Sequence, residues 1–254
     1  MTLNFIGIGL NDEKDITVKG LEVVKKSDFV YLDNYTSKIN CPIESLEHLY
    51  NKKIILADRE MIENDENEIL KNAKEKNVSF LIVGDVFSAT THMDLYLRAK
   101  RAGIKTIVVH NASVLTAVGI IGLQLYKFGR VTSIPFANEN IETPYDALKM
   151  NQENNLHTLF ILDLKSDSDD SLSINDAIRY LLKTEMKRGN RIFNDNTLCV
   201  GCAKLGSNDQ IIKAGKAKEL LKQDFKKGMQ CLIAPAKQLH FMEEEALKMY
   251  SINI

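Results

Sequence analysis

Short apolar runs alternate with amphipathic segments through the first half of the chain. Runs of this kind predict strands, here at Leu3–Ile8, Phe29–Leu32, Ile54–Ala57, Phe80–Val83 and Thr106–Val109. Between them, apolar residues recur at helical spacing behind capping residues, which predicts helices after Asp15-Ile16-Thr17 and over Glu66–Lys76 and Thr91–Ala102. Strands that alternate with helices are typical of parallel βαβ units.

Apolar runs and helical patterns also alternate in the second half of the chain, with different turn residues between them. It predicts strands at Val131–Ile134, His157–Leu164, Leu198–Ala203 and Cys231–Ala234. It predicts helices at Pro144–Gln152, Ile174–Lys187, Lys216–Gln223 and Phe241–Tyr250. We therefore expect two α/β domains, residues 1–112 and 113–254.

Composition and charge limit the classes of protein to which this chain can belong. With 254 residues, of which 44% are apolar, the chain can fill sizeable cores. The 33 lysines and arginines nearly cancel the 34 aspartates and glutamates, so the charge gives no sign of a nucleic-acid binder. The first residues lack a basic segment and a cleavage site, and no apolar run approaches the ~20 residues of a membrane helix. We expect a cytoplasmic protein that binds neither membranes nor nucleic acid.

The cysteines do not predict a metal site. Cys199 and Cys202 form a C-x-x-C pair, but no second pair or histidine cluster completes a zinc set. We interpret both as buried strand thiols, with a metal or redox role as the alternative.

Polar turns follow three of the predicted strands, at residues 7–12, 84–92 and 110–114, and the first two contain glycine. In α/β proteins ligands bind outside the carboxyl ends of the strands, and free N–H groups at helix starts add a positive field there. The alternative is ordinary strand-to-helix loops with a capping Asp or Thr. The third glycine of the dinucleotide fingerprint is missing after Gly7 and Gly9. His92 and His110 fit structural roles better than acid or base roles.

One of these turns carries a family resemblance. Gly84-Asp85-Val86-Phe87-Ser88-Ala89-Thr90-Thr91-His92 resembles the G-D-P-x-x-A-T-T-H signature of the diphthine synthases, which are methyltransferases of the tetrapyrrole-methylase superfamily. Val86 stands where that family commonly has proline. Further matches cover nearly the whole chain in order, at Gly7–Leu10, Tyr31–Ser37, Gly122–Gly129, Asn155–Lys165, Cys199–Gln210 and Leu239–Glu243.

The resemblance implies a fold, a cofactor and a reaction. It implies a class III methyltransferase, a homodimer of chains with two α/β domains and the cofactor in the cleft between them. S-adenosylmethionine would methylate the aminocarboxypropyl group on a modified histidine of elongation factor 2, leaving S-adenosylhomocysteine. No residue stands out as catalytic. The implied cofactor contacts are Leu10, Asp85, Ser88, Ser113, Val114, Leu164, Leu205 and Gln230, of which Gln230 departs from the histidine often found there.

Two other functions share part of this pattern. A tetrapyrrole methyltransferase would have the same fold and cofactor, although the A-T-T-H, Y-T-S and L-H-F-M-E segments argue against it. A non-catalytic nucleotide-binding module would explain the α/β pattern alone. The stretches 123–129 and 150–158 look more like the eukaryotic than the archaeal branch of the resembled family, which implies a methyl ester of diphthine as end product.

Overall fold

The computed structural model describes residues 1–64, 68–164 and 171–252. The chain divides into two units, Met1–Leu115 and Thr116–Ile254, which are called unit 1 and unit 2 below. Each unit contains a β-sheet with helices packed against it. The boundary expected from the sequence, after residue 112, lies close to this division and stays a prediction.

The described part of unit 1 forms a five-stranded sheet from β1 (Thr2–Gly7), β2 (Phe29–Asp33), β3 (Ile55–Ala57), β4 (Asn77–Ile82) and β5 (Lys105–Val109). The order across the sheet is β3-β2-β4-β1-β5, and every neighbouring pair is parallel. Phe5 packs on one face and Ile6 on the other, and both are fully buried. Burial on both faces is expected of a parallel sheet, so the predicted βαβ organisation is confirmed.

Side-chain caps start some of the helices in the described part of unit 1, while others begin without one. They are α1 (Val18–Lys25), α2 (Ile43–Tyr50), α3 (Arg59–Glu63), α4 (Glu68–Glu75), α5 (Met93–Arg101) and α6 (Val114–Ala117), the last crossing into unit 2. The Thr17 hydroxyl accepts a hydrogen bond from Gly20 N at 3.0 Å, and this starts α1. The predicted start of α4 at Glu66 lies outside the described residues.

Unit 2 has a mixed sheet. Its described strands are β6 (Thr132–Ile134), β7 (Thr158–Leu162), β8 (Leu198–Ala203), β9 (Ile211–Lys216) and β10 (Gln230–Ala234). They are ordered β6-β7-β10-β8-β9, with β6 and β7 parallel and the other pairs antiparallel. The sequence did not predict β9. This strand lies at the edge of the sheet, and its side chains are only half-buried apart from Ala214 and the exposed Lys216.

The helices of unit 2 are α7 (Thr143–Glu153), α8 (Ile174–Arg188), α9 (Ala217–Leu220) and α10 (Phe241–Lys248). A capping box between Ser173 and Asp176 starts α8, and Gly189 in the left-handed region ends it. The helix predicted from Lys216 is wrong at its start, because Lys216 is the last residue of β9. Cys199 and Cys202 are fully buried in β8, which confirms their prediction as strand thiols. None of the helices in the described parts of the chain has the length and apolarity that a membrane span requires.

Candidate functional site

The turns after β1 and β4 are joined through their backbones at the carboxyl edge of the sheet of unit 1. Gly9 N donates to Gly84 O at 3.3 Å, and Gly84 N donates to Gly9 O at 2.7 Å. Both glycines have φ near +80°, at +81° and +82°, where a side chain would be strained. A Cβ atom at Gly7 would lie 2.7 Å from Gly84 O. The close approach that the sequence assigned to a ligand is, in the structure, the approach of these two turns.

Two side chains fix these turns, and the sequence reasoning missed both. Asp15 Oδ2 accepts from Leu10 N at 3.1 Å and from Asn11 N at 2.8 Å. Asn111 Nδ2 donates to Gly7 O at 2.9 Å and to Asp15 O at 3.0 Å, which ties the turn after β5 to the turn after β1. No local signal marks Asn111, because its partners lie 104 and 96 residues away along the chain.

Asp85 joins the turns after β4 and β5. Its Oδ1 accepts from His110 Nδ1 at 2.8 Å and from Asn111 N at 3.0 Å. Its Oδ2 accepts from Ser88 Oγ at 3.1 Å and from Phe87 N at 3.4 Å. Burial acts to raise the pKa of Asp85, but these four donors outweigh it and lower the pKa below its ordinary value. Asp85 is therefore an ionised carboxylate at neutral pH.

The surroundings of Asp85 are polar on one side and apolar on the other. The His110 side chain is 68% exposed, whereas that of Asp85 is 12% exposed. Around Gly84, a Cβ atom would lie 3.9 Å from Leu10 Cδ2 and 4.0 Å from Ser113 Cα. The structure therefore brings Leu10, Asp85 and Ser113 to one place at the sheet edge. Val114 follows directly as the first residue of α6.

Val86 and Ser88 give the turn after β4 its shape. Val86 is fully buried among the apolar side chains on one face of the sheet. Its carbonyl oxygen accepts from Thr90 Oγ1 at 2.8 Å. Ser88 bonds to Asp85, and Ala89 takes a positive φ of +61°. Valine therefore anchors this turn through its side chain at the position where the resembled family has proline.

At the other end of the same segment, His92 contacts the end of β2. His92 is fully buried, and its Nε2 donates to Asp33 Oδ2 at 3.2 Å. Asp33 also accepts from Tyr35 N at 3.0 Å, from Thr36 N at 3.3 Å and from the Thr36 hydroxyl. The segment from Gly84 to His92 is therefore attached to the turn after β5 at one end and to the end of β2 at the other. His92 is thus bonded to a protein partner, and the structural role predicted for it stays a prediction.

The three candidate residues of unit 2 lie at one edge of its sheet, because β10 runs antiparallel to β7 and β8. Gln230 pairs with Ala203, the last residue of β8, and Leu205 lies two positions beyond. Leu164 forms a bridge to Ser171, whose hydroxyl donates to Gly228 O at 3.4 Å. The side chain of Gln230 is engaged on both ends: Oε1 accepts from Ile174 N at 3.0 Å and Nε2 donates to Lys226 O at 2.7 Å. Two contacts within unit 2 thus fix the orientation of the Gln230 side chain.

Comparison with known proteins identifies relatives along the whole chain. The profile of the family Tetrapyrrole (Corrin/Porphyrin) Methylases matches residues 2–221. The diphthine methyl ester synthase of Homo sapiens is 42% identical, over 98% of this chain and 95% of that protein. The diphthine synthase of Methanosarcina mazei is 45% identical, over 96% of this chain and 94% of that protein. A crystal structure of diphthine synthase superposes with a TM-score of 0.90 at 36% identity, covering 99% of this chain and 96% of that one.

Proposed function

This chain belongs to the tetrapyrrole methylases and, among them, to the diphthine synthases, and we propose that it methylates elongation factor 2 with S-adenosylmethionine. Membership makes it a methyltransferase of diphthamide biosynthesis. The acceptor that we propose is the 3-amino-3-carboxypropyl group on a modified histidine of the factor. The observation that supports this most strongly is the similarity to diphthine synthases over nearly the full length of both chains.

The residues at the sheet edge of unit 1 fit S-adenosylmethionine. This cofactor has a charged amino acid end, a ribose and an adenine ring. An ionised Asp85 beside an exposed His110 suits the ammonium group or the ribose hydroxyls. A ligand would share Oδ2, whose bonds to Ser88 and Phe87 are the longer ones. Leu10 and Val114 supply the apolar surface that small-molecule sites need beside a few polar groups, and Ser113 is the remaining contact proposed in this unit.

In unit 2 we propose contacts through Leu164, Leu205 and Gln230. Leu205 is buried and Leu164 is half-buried, so both can offer apolar surface to an adenine ring. Gln230 would contribute backbone atoms, because its side chain is held by Ile174 and Lys226. Such a contact tolerates glutamine in place of the histidine often found in the family.

Methyl transfer from S-adenosylmethionine requires little covalent catalysis by the protein. When bound, S-adenosylmethionine supplies a methyl group already activated on a sulfonium. The residues of this chain must hold a neutral amine in line with that group and exclude water. Asp85 is a poor candidate for a base, because four donors already bind its carboxylate and lower its pKa. We therefore propose that solvent or the carboxylate of the acceptor takes the proton.

The number of methyl groups added is a further part of the proposal. The human relative is named for a methyl ester and the archaeal one is not, and their identities to this chain, 42% and 45%, do not separate the two branches. We propose the ester on the sequence of residues 123–129 and 150–158. Forming it requires the trimethylated product to bind again with a carboxylate oxygen facing the sulfonium.

We propose a cytoplasmic homodimer that acts on a protein partner. A tetrapyrrole substrate and a non-catalytic nucleotide-binding role are not favoured, because the relatives are named for diphthine synthesis.

Transfer of a radiolabelled methyl group tests the proposed function. Elongation factor 2 that carries the aminocarboxypropyl histidine should be labelled, and unmodified factor should stay inert, because the nucleophile is the amine of that group and not the imidazole. Labelling of the unmodified factor at a comparable rate would point to a different methylation site.

A further inference from the structure

The loop between β2 and α2 lies at the same sheet edge as the proposed cofactor contacts, and none of those contacts belongs to it. This loop, residues 34–40, is called the acceptor loop below. It carries hydroxyl groups at Thr36 and Ser37 and an ammonium group at Lys38, and all three residues are half-buried. Such groups suit an acceptor that presents an amine and a carboxylate.

The beginning of the acceptor loop is held by a buried carboxylate. Asp33 is 1% exposed and accepts from the backbone N–H groups of Tyr35 and Thr36, at 3.0 Å and 3.3 Å, and from the Thr36 hydroxyl. His92 Nε2 lies 3.2 Å from Asp33 Oδ2 and 3.5 Å from Thr36 Oγ1. The loop therefore starts in a geometry set by Asp33 and His92 together.

The end of the acceptor loop is fixed beside the proposed cofactor contacts. Asn40 N donates to Asn11 O at 2.9 Å, and Asn40 Nδ2 donates to Asn11 Oδ1 at 3.1 Å. Asn11 follows Leu10, and both of their backbone N–H groups are held by Asp15. The loop thus runs from the end of β2 to the turn after β1, passing across the carboxyl end of β4, which lies between these strands.

His92 is poorly explained by stability alone. It is fully buried, its ring packs edge-on against Phe80 with centroids 5.1 Å apart, and its Nδ1 has no hydrogen-bond partner among the described residues. A buried nitrogen without a partner is unfavourable. An apolar ring would fill this position without that cost, so the bond from Nε2 to Asp33 is the feature that requires a histidine.

We propose that Asp33 and His92 are positioning residues that hold the acceptor loop as the wall against which the aminocarboxypropyl group binds. This inference rests on the proposed function. It assigns the A-T-T-H end of the segment 84–92 to the acceptor, while Asp85 at its other end serves the cofactor.

The test uses Thr36, because it is half-buried and a change there preserves the packing of the core. Thr36→Val removes the hydroxyl that bonds to Asp33 at nearly constant size, and Thr36→Ser keeps it. We expect Thr36→Val to raise the KM for modified elongation factor 2 by about tenfold, because the acceptor loop loses a bond that fixes its start. The affinity for S-adenosylhomocysteine should stay at the wild-type value, and Thr36→Ser should restore the KM.

A second pair of variants addresses His92 directly. His92→Gln keeps a donor that can reach Asp33, so its KM for modified elongation factor 2 should stay close to the wild-type value. His92→Phe lacks this donor and should have a higher KM. A Thr36→Val protein with a wild-type KM, or with its loss in cofactor affinity instead, would overturn the inference. Failure of the wild-type protein to methylate the modified factor would refute the proposed function, and the inference with it.

Discussion

Two carboxylates, Asp85 in unit 1 and Glu243 in unit 2, have similar partners, except that Glu243 pairs with a lysine where Asp85 pairs with a serine, and they lie in different surroundings. Each accepts from two backbone N–H groups, one histidine and one further side chain. The side chains of Glu243 and its partner His157 are fully buried. Those of Asp85 and its partner His110 are 12% and 68% exposed. A hydrogen-bonded carboxylate therefore lies in the buried interior of unit 2, and a similar one lies at the partly exposed sheet edge of unit 1.

The hydrogen bonds around Glu243 connect three parts of unit 2. Glu243, in α10, accepts from Gln124 N at 3.0 Å, from Lys127 Nζ at 3.0 Å and from His157 Nε2 at 2.8 Å. His157 Nδ1 in turn accepts from Ala236 N at 2.9 Å, which fixes Nε2 as the donor to Glu243. Burial acts to raise the pKa of Glu243, but its donors outweigh this and lower the pKa to about 2. The comparison predicts that Glu243 serves stability and Asp85 serves binding.

The largest expected effect is on the stability of Glu243→Ala. Removing one partner of a buried charge network typically costs about 3–5 kcal/mol, here because Lys127, His157 and two backbone N–H groups lose their acceptor. Urea unfolding measures the loss in the free energy of unfolding. Amide hydrogen exchange should accelerate in α10 and in residues 122–127 rather than in unit 1. Glu244→Ala, an exposed change on the same helix, is the control and should stay within about 0.5 kcal/mol of wild type. A stable Glu243→Ala protein would break the comparison.

Asp85→Ala should weaken cofactor binding more than folding. Loss of one partner of a charge-assisted contact commonly costs about 2–5 kcal/mol of binding, and calorimetry with S-adenosylhomocysteine measures it. Asp94→Ala removes an exposed carboxylate of the same unit and should bind normally. Wild-type affinity in a folded Asp85→Ala protein would remove Asp85 from the site.

Glycine substitutions sharpen the comparison within unit 1. Gly9 and Gly103 both have positive φ, at +81° and +71°. A Cβ atom at Gly9 would lie 2.4 Å from Asp15 Cβ, whereas one at Gly103 meets nothing within 4 Å. Gly9→Ala should therefore destabilise the protein by about 1–3 kcal/mol more than Gly103→Ala, through overpacking added to a similar backbone strain. Equal losses in urea unfolding would show that the turn can move aside.

The smallest expected effect is a pH dependence of stability in unit 2. Burial lowers the pKa of His157 in the folded chain below its ordinary 6.5, although Glu243 partly opposes the shift. The unfolded chain therefore binds the proton more readily, and stability is lost as pH falls below about 6.5. Between about pH 7.5 and pH 5.5 this loss is at most about 1.4 kcal/mol. Urea unfolding at both values should show it, and His157→Gln should reduce it; an unchanged slope in that variant would assign it elsewhere.

Most strands and helices could be predicted from the local sequence pattern. The main element that this pattern did not predict is β9, and there is a physical reason for that. The strands of unit 1 are short apolar runs buried on both faces, so their residues alone mark them. β9 escaped prediction because it is an edge strand with lysines at 213 and 216 and a glycine at 215. Its last residue also begins a segment with helical spacing. Tertiary pairing with β8 decides that Lys216 is extended.

The turns of the candidate site could be predicted where local motifs mark them, whereas long-range side-chain contacts in either unit could not. Asp85 and Ser88 stand out because glycine and helix signals surround them within one turn. Asn111 and Glu243 act through partners about a hundred residues away, Gly7 and Gln124 among them. A polar residue in a loop or on a helix face gives no such information until the chain has folded.

The mass of elongation factor 2 bearing the aminocarboxypropyl histidine, measured after incubation with this protein and excess S-adenosylmethionine, tests the central claim most directly. Under mildly acidic conditions that preserve esters, we predict four added methyl groups on that residue, one of which is lost on brief alkaline treatment. A plateau at three methyl groups would contradict the ester, and an unchanged mass would contradict the methyltransferase assignment itself.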